Sequence, residues 1–195
     1  LGAFYIPVLL LLFGLIFRGV AFEFRERSQG MRWLWDWGFF LGSVVVAFMQ
    51  GAAVGAMMRG IAVHDEQFAG SSFDWLHPFA VLPGVGLVFG YALLGAGWIV
   101  VKSQGALRDW AYARIPWLVG IVFVIIAAAF AVVLSVDVGA VAQGHLRDRR
   151  WGLLFPVLGV VALVAAGLAA RARKDLLPFA FTALFFLCAF LTLGV

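Results

Sequence analysis

The sequence predicts an all-α fold, a polytopic transmembrane bundle of about six spanning helices, and three observations carry that prediction. Of 195 residues, 65% are hydrophobic and only 12% are charged, with a mean hydropathy of +1.05. A water-soluble chain of this size would leave its own exterior unsolvated. The apolar runs are each roughly 17–24 residues long, the length a helix needs to cross about 30 Å of hydrocarbon with some tilt. They are continuous and lack the alternation of barrel strands, so helices that satisfy their own backbone are expected. One integral membrane domain over residues 1–195 follows, with no soluble domain.

In chain order the predicted spans are Leu1–Phe17 (extending to Phe22), Trp37–Met58, Pro78–Val101, Ile115–Leu134, Trp151–Ala170 and Leu176–Val195, with the charge clusters between them. Pro78, Pro116 and Pro178 stand near span beginnings, where a missing N–H costs little. Pro7, Pro83 and Pro156 lie deeper and predict kinks or distorted first turns. Gly51–Gly55 and Gly86–Gly90 have the small-xxx-small spacing that lets helix backbones approach. Trp33, Trp35, Trp37, Trp75, Trp98, Trp110, Trp117 and Trp151 fall mostly at span ends and read as an aromatic belt.

Lys and Arg set the predicted orientation. The loops after spans one, three and five hold Arg18, Arg25, Arg27, Arg32, Lys102, Arg108, Arg114, Arg171, Arg173 and Lys174, ten basic residues. The loops after spans two and four hold four, Arg59, Arg147, Arg149 and Arg150. Segments 18–35, 102–114 and 171–175 are therefore expected in the cytoplasm, and both ends outside. Asp65, Glu66 and Asp74 support this weakly, and the Arg147–Arg150 cluster runs against it. The net charge of +4 reads as lipid-facing loops, with no nucleic-acid partner.

The most informative stretch runs from Phe17 to Trp37. Arg18 and Glu23 arrive where the first apolar run ends, and Asp36 marks the return. Charged side chains are costly at mid-bilayer but reach headgroups near a helix end. Five residues apart, Arg18 and Glu23 sit about 140° apart on a helix. They are poor partners for each other, so each should meet water, lipid or another chain. Any one of them can be an ordinary membrane-border residue; the sharper reading gives Glu23, with Arg18 and Asp36, a part in proton movement.

Other polar side chains inside spans are few: Ser43, Gln50, Tyr91, Ser135 beside Asp137, Thr182 and Thr192. An amide in lipid needs a partner, so Gln50 is expected to face another helix; Gln50, Ser43, Tyr91 and Lys102 are candidates for quinone or helix–helix polar contacts. Lys102 can also snorkel to the interface. His64, His77 and His145 fall in predicted outside loops or at a span start, and Met49, Met57 and Met58 read as packing residues; haem ligation by an isolated His77 or by one of these methionines is the less favoured alternative, and no metal ligand set is expected. The lone Cys188 allows no intrachain disulfide, and no Ser/His/Asp set, P-loop or zinc motif occurs.

Taken together, Gly2-Ala3-Phe4-Tyr5, Phe17-Arg18-Gly19-Val20-Ala21-Phe22-Glu23-Phe24-Arg25, Trp35-Asp36-Trp37-Gly38 and Gly42-Ser43 resemble subunit II of the cytochrome bd-type quinol oxidases, including their cyanide-insensitive branch. The likeness continues through Gln50-Gly51, His77-Pro78-Phe79, Gly90-Tyr91-Ala92-Leu93-Leu94-Gly95, Trp98, Lys102 and Gly105. Beyond about residue 100 it rests on hydropathy and loop pattern. The resemblance implies a bacterial inner-membrane complex that oxidises quinol and reduces dioxygen to water. It places two b-type haems and one d-type haem in a partner, subunit I, against which subunit II packs and which needs it for assembly. It also implies an acidic residue at Glu23 for delivering cytoplasmic protons, and leaves room for small accessory subunits and a bound ubiquinone or other quinone.

The chain opens without Met and both ends lie in or beside apolar sequence, so it is expected to be a piece of a longer subunit. By the resemblance, an early Trp-Asp-Gly segment and a closing helix lie beyond it. Two alternatives stand beside the oxidase reading: a transporter or channel-like bundle, which predicts mid-span ionisable residues or paired broken helices, and a purely structural membrane scaffold.

Overall fold

The computed structural model describes residues 4–28, 30–59, 63–64, 67–68, 74–135 and 154–194. Among them the fold is all-α apart from one minimal hairpin. Six helices run α1 (Tyr5–Arg27), α2 (Arg32–Arg59), α3 (Pro78–Lys102), α4 (Ala106–Ser135), α5 (Leu154–Arg171) and α6 (Leu177–Gly194). Strands β1 (Val63–His64) and β2 (Gln67–Phe68) pair antiparallel between α2 and α3, and a 3₁₀ turn spans Asp74–Leu76. Helices α1 to α5 are long and apolar enough to cross a membrane, while α6 is apolar over the shorter stretch Leu177–Thr192. This is a multi-pass membrane protein. Gly2, Ala3, Asp65, Glu66, Asp137, His145, Arg147, Arg149, Arg150 and Trp151 lie outside the described residues.

The helices outrun the predicted spans. Only residues 28–31, 103–105 and 172–176 separate successive helices at the three basic turns, where long loops 18–35 and 102–114 were expected. Apolar length decides what the bilayer covers, but a helix goes on while its residues favour it. Ala106, Leu107, Arg108 and Ala111 are good helix formers, so α4 starts nine residues before Ile115. Pro116 consequently lies inside α4, not at its start. Pro7 and Pro156 fall in first turns, and Pro83 is interior to α3.

Two compact units divide the chain, residues 1–88 and 89–195. In the first, Met49, Ala52 and Trp75 form the buried core, with Ile6, Leu11, Val45 and Phe48 packed on it. Trp75 departs from the expected aromatic belt. It is only 5% exposed, because the 3₁₀ turn folds it onto α2. The Gly51–Gly55 spacing works as predicted: a Cβ on Gly51 would lie 2.3 Å from the Pro83 carbonyl oxygen, and one on Gly55 2.8 Å from Ala80 Cα. Helices α2 and α3 therefore touch backbone to backbone.

In the second unit, Leu93, Val100, Ile115, Val122 and Leu163 are buried together with Tyr112. Helix α5 closes with Lys174 N–H bonded to the Ala169 carbonyl at 3.0 Å and Arg173 N–H to that of Ala170 at 3.1 Å. That is the Schellman pattern, with Arg173 at φ 51° where glycine usually sits. The reversal aims Arg173 at Asp109, 2.8 Å away, while Arg108 pairs with Asp175, which also accepts a 2.9 Å hydrogen bond from the Tyr112 hydroxyl. Both basic turns of this unit are thus tied together at one end. Asp109 and Asp175 went unremarked in the sequence, though they are the only acids in segments 102–114 and 171–175.

Candidate functional site at the α1–α2 hinge

Helix α1 carries Arg18, Glu23, Arg25 and Arg27 along its last three turns, and α2 brings Asp36 back beside them. Glu23 lies four residues before the end of α1, and Arg18 about 7.5 Å deeper along the axis. As expected, these two do not pair. Glu23 instead accepts from Arg27 at 2.8 Å, one helical turn on, an arrangement the sequence reading had not weighed. Asp36 accepts from Arg25 Nε at 2.5 Å. Trp35 Nε1 donates to Ser28 Oγ at 3.1 Å, and its ring stacks on Phe24 at 5.4 Å. All four paired charges are more than half exposed, so solvent screens both pairs and they add little to stability. They fix the hinge's register more than its stability.

Arg18 is different. Its guanidinium lies over the Phe39 ring, 5.1 Å from the centroid. Its Nε is buried with no hydrogen-bond partner among the described residues. The half-buried stem passes Gly42, where a Cβ would come within 2.9 Å of Arg18 Cγ and 3.0 Å of the Gly14 carbonyl oxygen. Gly42 is what lets an arginine lie between two close-packed helices. The signal was present as Gly38-x-x-x-Gly42, a third small-xxx-small spacing beside Gly51–Gly55 and Gly86–Gly90.

The remaining candidates do not join this cluster. Ser43 Oγ donates to the Phe39 carbonyl of its own helix at 2.7 Å. Thr182 and Thr192 likewise donate to Pro178 and Cys188, four residues back, at 2.7 and 2.8 Å. Gln50 is an exposed residue of α2. In the second unit, Tyr91 stacks on Phe186 at 5.5 Å, and the Lys102 ammonium sits 5.1 Å from the Trp98 ring, one turn back. His77 Nδ1 accepts from Phe79 N–H at 3.2 Å and so caps α3. Among the described residues no group of three or more His, Cys, Asp or Glu converges as a metal site would.

Helical spans, a short charged hinge and paired basic turns define a polytopic membrane protein whose chemistry-bearing groups gather at helix ends. More particularly, the chain belongs to the family described as cytochrome bd terminal oxidase subunit II, which it matches over residues 1–195. It is 30% identical over 225 aligned positions to cytochrome bd-I ubiquinol oxidase subunit 2 of Escherichia coli, covering 100% of this chain and 59% of that protein. It is 35% identical over 137 positions to the probable cytochrome oxidase subunit 2 of Haemophilus influenzae, covering 67% of this chain and 36% of the relative. To cytochrome bd ubiquinol oxidase subunit 2 of Bacillus subtilis it is 29% identical over 180 positions, covering 90% and 51%. The chain spans between about a third and three fifths of the length of these relatives.

Proposed function

We propose that the chain serves as part of the non-haem subunit II of a bd-type quinol:oxygen oxidoreductase in the aerobic respiratory chain of a bacterial inner membrane. The observation that carries this reading is the family match along the whole chain, with relatives that bear ubiquinol oxidase names. In this reading the two b-type haems and the d-type haem belong to subunit I, and quinol oxidation and dioxygen reduction take place there. The present chain supports the assembly of that partner in the bilayer, with small accessory subunits as further neighbours. The turns at 28–31, 103–105 and 172–176 face the cytoplasm, because most of the basic residues gather at them.

Glu23 is the proposed entry point for protons. Its carboxylate is exposed at a helix end and held by Arg27, where it can exchange with water. Arg18, deeper on α1, supplies a fixed positive charge, and the Arg25–Asp36 pair links α1 to α2 beside them. Gln50, Ser43, Tyr91 and Lys102 stay as candidate polar contacts for a quinone or a partner helix.

The test is Glu23→Gln in the purified complex, which keeps the shape and removes the exchangeable proton. Quinol-driven oxygen consumption and proton uptake should both fall by about tenfold or more. Unchanged rates would remove Glu23 from the pathway while leaving the subunit assignment intact. A native preparation that is colourless and lacks an oxidase companion would remove the assignment itself.

A further inference from the structure

The outer face of α4 holds a groove that neither the hinge nor the helix packing accounts for. Its volume is about 640 Å³, with Trp117, Gly120, Ile121 and Val124 of α4 along it and Arg171, the last residue of α5, at its rim. Trp117 is 74% exposed, and α4 is both highly apolar and little covered. A Cβ on Gly120 would meet nothing within 4 Å, so the floor of the groove is open. From Trp117 to Val124 the helix rises about 10 Å, the reach of the upper part of an acyl chain.

Charge says what fits there. Segments 102–114 and 171–175 carry six basic residues and two acids. Both acids are taken, Asp109 by Arg173 and Asp175 by Arg108. Among the described residues no carboxylate pairs with Arg171 or with Arg114, which lies over the Trp110 ring at 5.6 Å. Arg114 shares the groove's face, since residues 114, 117, 121 and 124 repeat at helical spacing. An apolar channel below uncompensated arginines at the membrane interface calls for an amphiphile with an anionic head. A neutral quinone ring would leave the arginines unanswered, and a close-packed partner helix would strip water from them without supplying a counter-charge.

We infer that this groove is a specific site for an anionic glycerophospholipid of the leaflet at the basic end of α4 and α5. The phosphate is held by Arg171 and Arg114, Trp117 lies at the glycerol level, and one acyl chain lies over Gly120 toward Val124. The inference needs only the membrane-spanning assignment, and its readout is independent of oxidase turnover.

The test uses the full-length protein in its purified complex, in phosphatidylcholine nanodiscs doped with photoactivatable phosphatidylglycerol or, at equal fraction, the matching phosphatidylcholine. The phosphatidylglycerol probe should label residues 114–125 about fivefold more than the phosphatidylcholine probe for each arginine engaged. Arg171→Gln should remove most of that preference, and Arg171→Lys should retain it. Gly120→Leu, which fills open space without disturbing packing, should lower labelling by both lipids. Equal labelling by the two lipids, a preference unmoved by Arg171→Gln, loss of label on adding decylubiquinone, or no label because a partner helix covers the face would each overturn the inference.

Discussion

Replacing Gly51 with alanine probes the tightest helix contact in the first unit. The added methyl would stand 2.3 Å from the Pro83 carbonyl oxygen, 2.6 Å from its carbon and 2.7 Å from Gly84 Cα. All three are backbone atoms, so no side chain can swing aside. Restoring ordinary contact requires α2 and α3 to part by roughly 1 Å, and such overpacking costs about 1–3 kcal/mol. Alanine returns up to about 1 kcal/mol through its better helix propensity, which leaves a net loss of up to about 2–3 kcal/mol. Parting the helices also loosens Phe48, whose ring fills the space a Cβ on Gly84 would need. Reversible unfolding of the purified full-length protein, by steric trapping in mild detergent, reads the change. Gly19→Ala is the control, because a Cβ there meets nothing within 4 Å; it should be neutral or stabilising by up to about 1 kcal/mol. If Gly51→Ala were as stable as Gly19→Ala, the backbone contact between α2 and α3 would have no energetic meaning.

Two smaller perturbations follow from the same geometry. Phe39→Leu removes the ring beneath Arg18 and should cost about 0.5–2 kcal/mol, measured by the same unfolding assay; no change would show that the guanidinium does not depend on the ring. For the tie between α4 and the α5–α6 turn, a double-mutant cycle of Arg108→Met and Asp175→Asn should give a coupling of about 0.5–1 kcal/mol that shrinks with salt. A coupling of zero at low salt would refute the tie.

Helix number and class were legible because continuous apolar runs admit few structures in lipid. Helix ends were not. Arg108 and Trp110 read as loop residues because charge and aromatic belts mark the membrane border, whereas the backbone ladder of α4 continues through them. The hinge was legible in its residues but not in its pairing. Angular separation rightly kept Arg18 from Glu23, yet the i,i+4 partner Arg27 follows from the same periodicity once α1 is known to reach it. Trp75 read as a belt residue because its burial depends on a turn that no periodic pattern announces. Asp109 and Asp175 are 66 positions apart, and only the Schellman reversal at Arg173 places their partners across from them.

The hydroxyls of Ser43, Thr182 and Thr192 each bond to a carbonyl one turn back on the same helix. Such a bond forms as soon as the helix winds, before any neighbour arrives. Carrying these groups into hydrocarbon therefore does not wait on assembly. Helices α2 and α6 carry these three hydroxyls as self-sufficient rods. Their lateral placement can then follow glycine seams and stacked rings, since these hydroxyls need no mate on a neighbour.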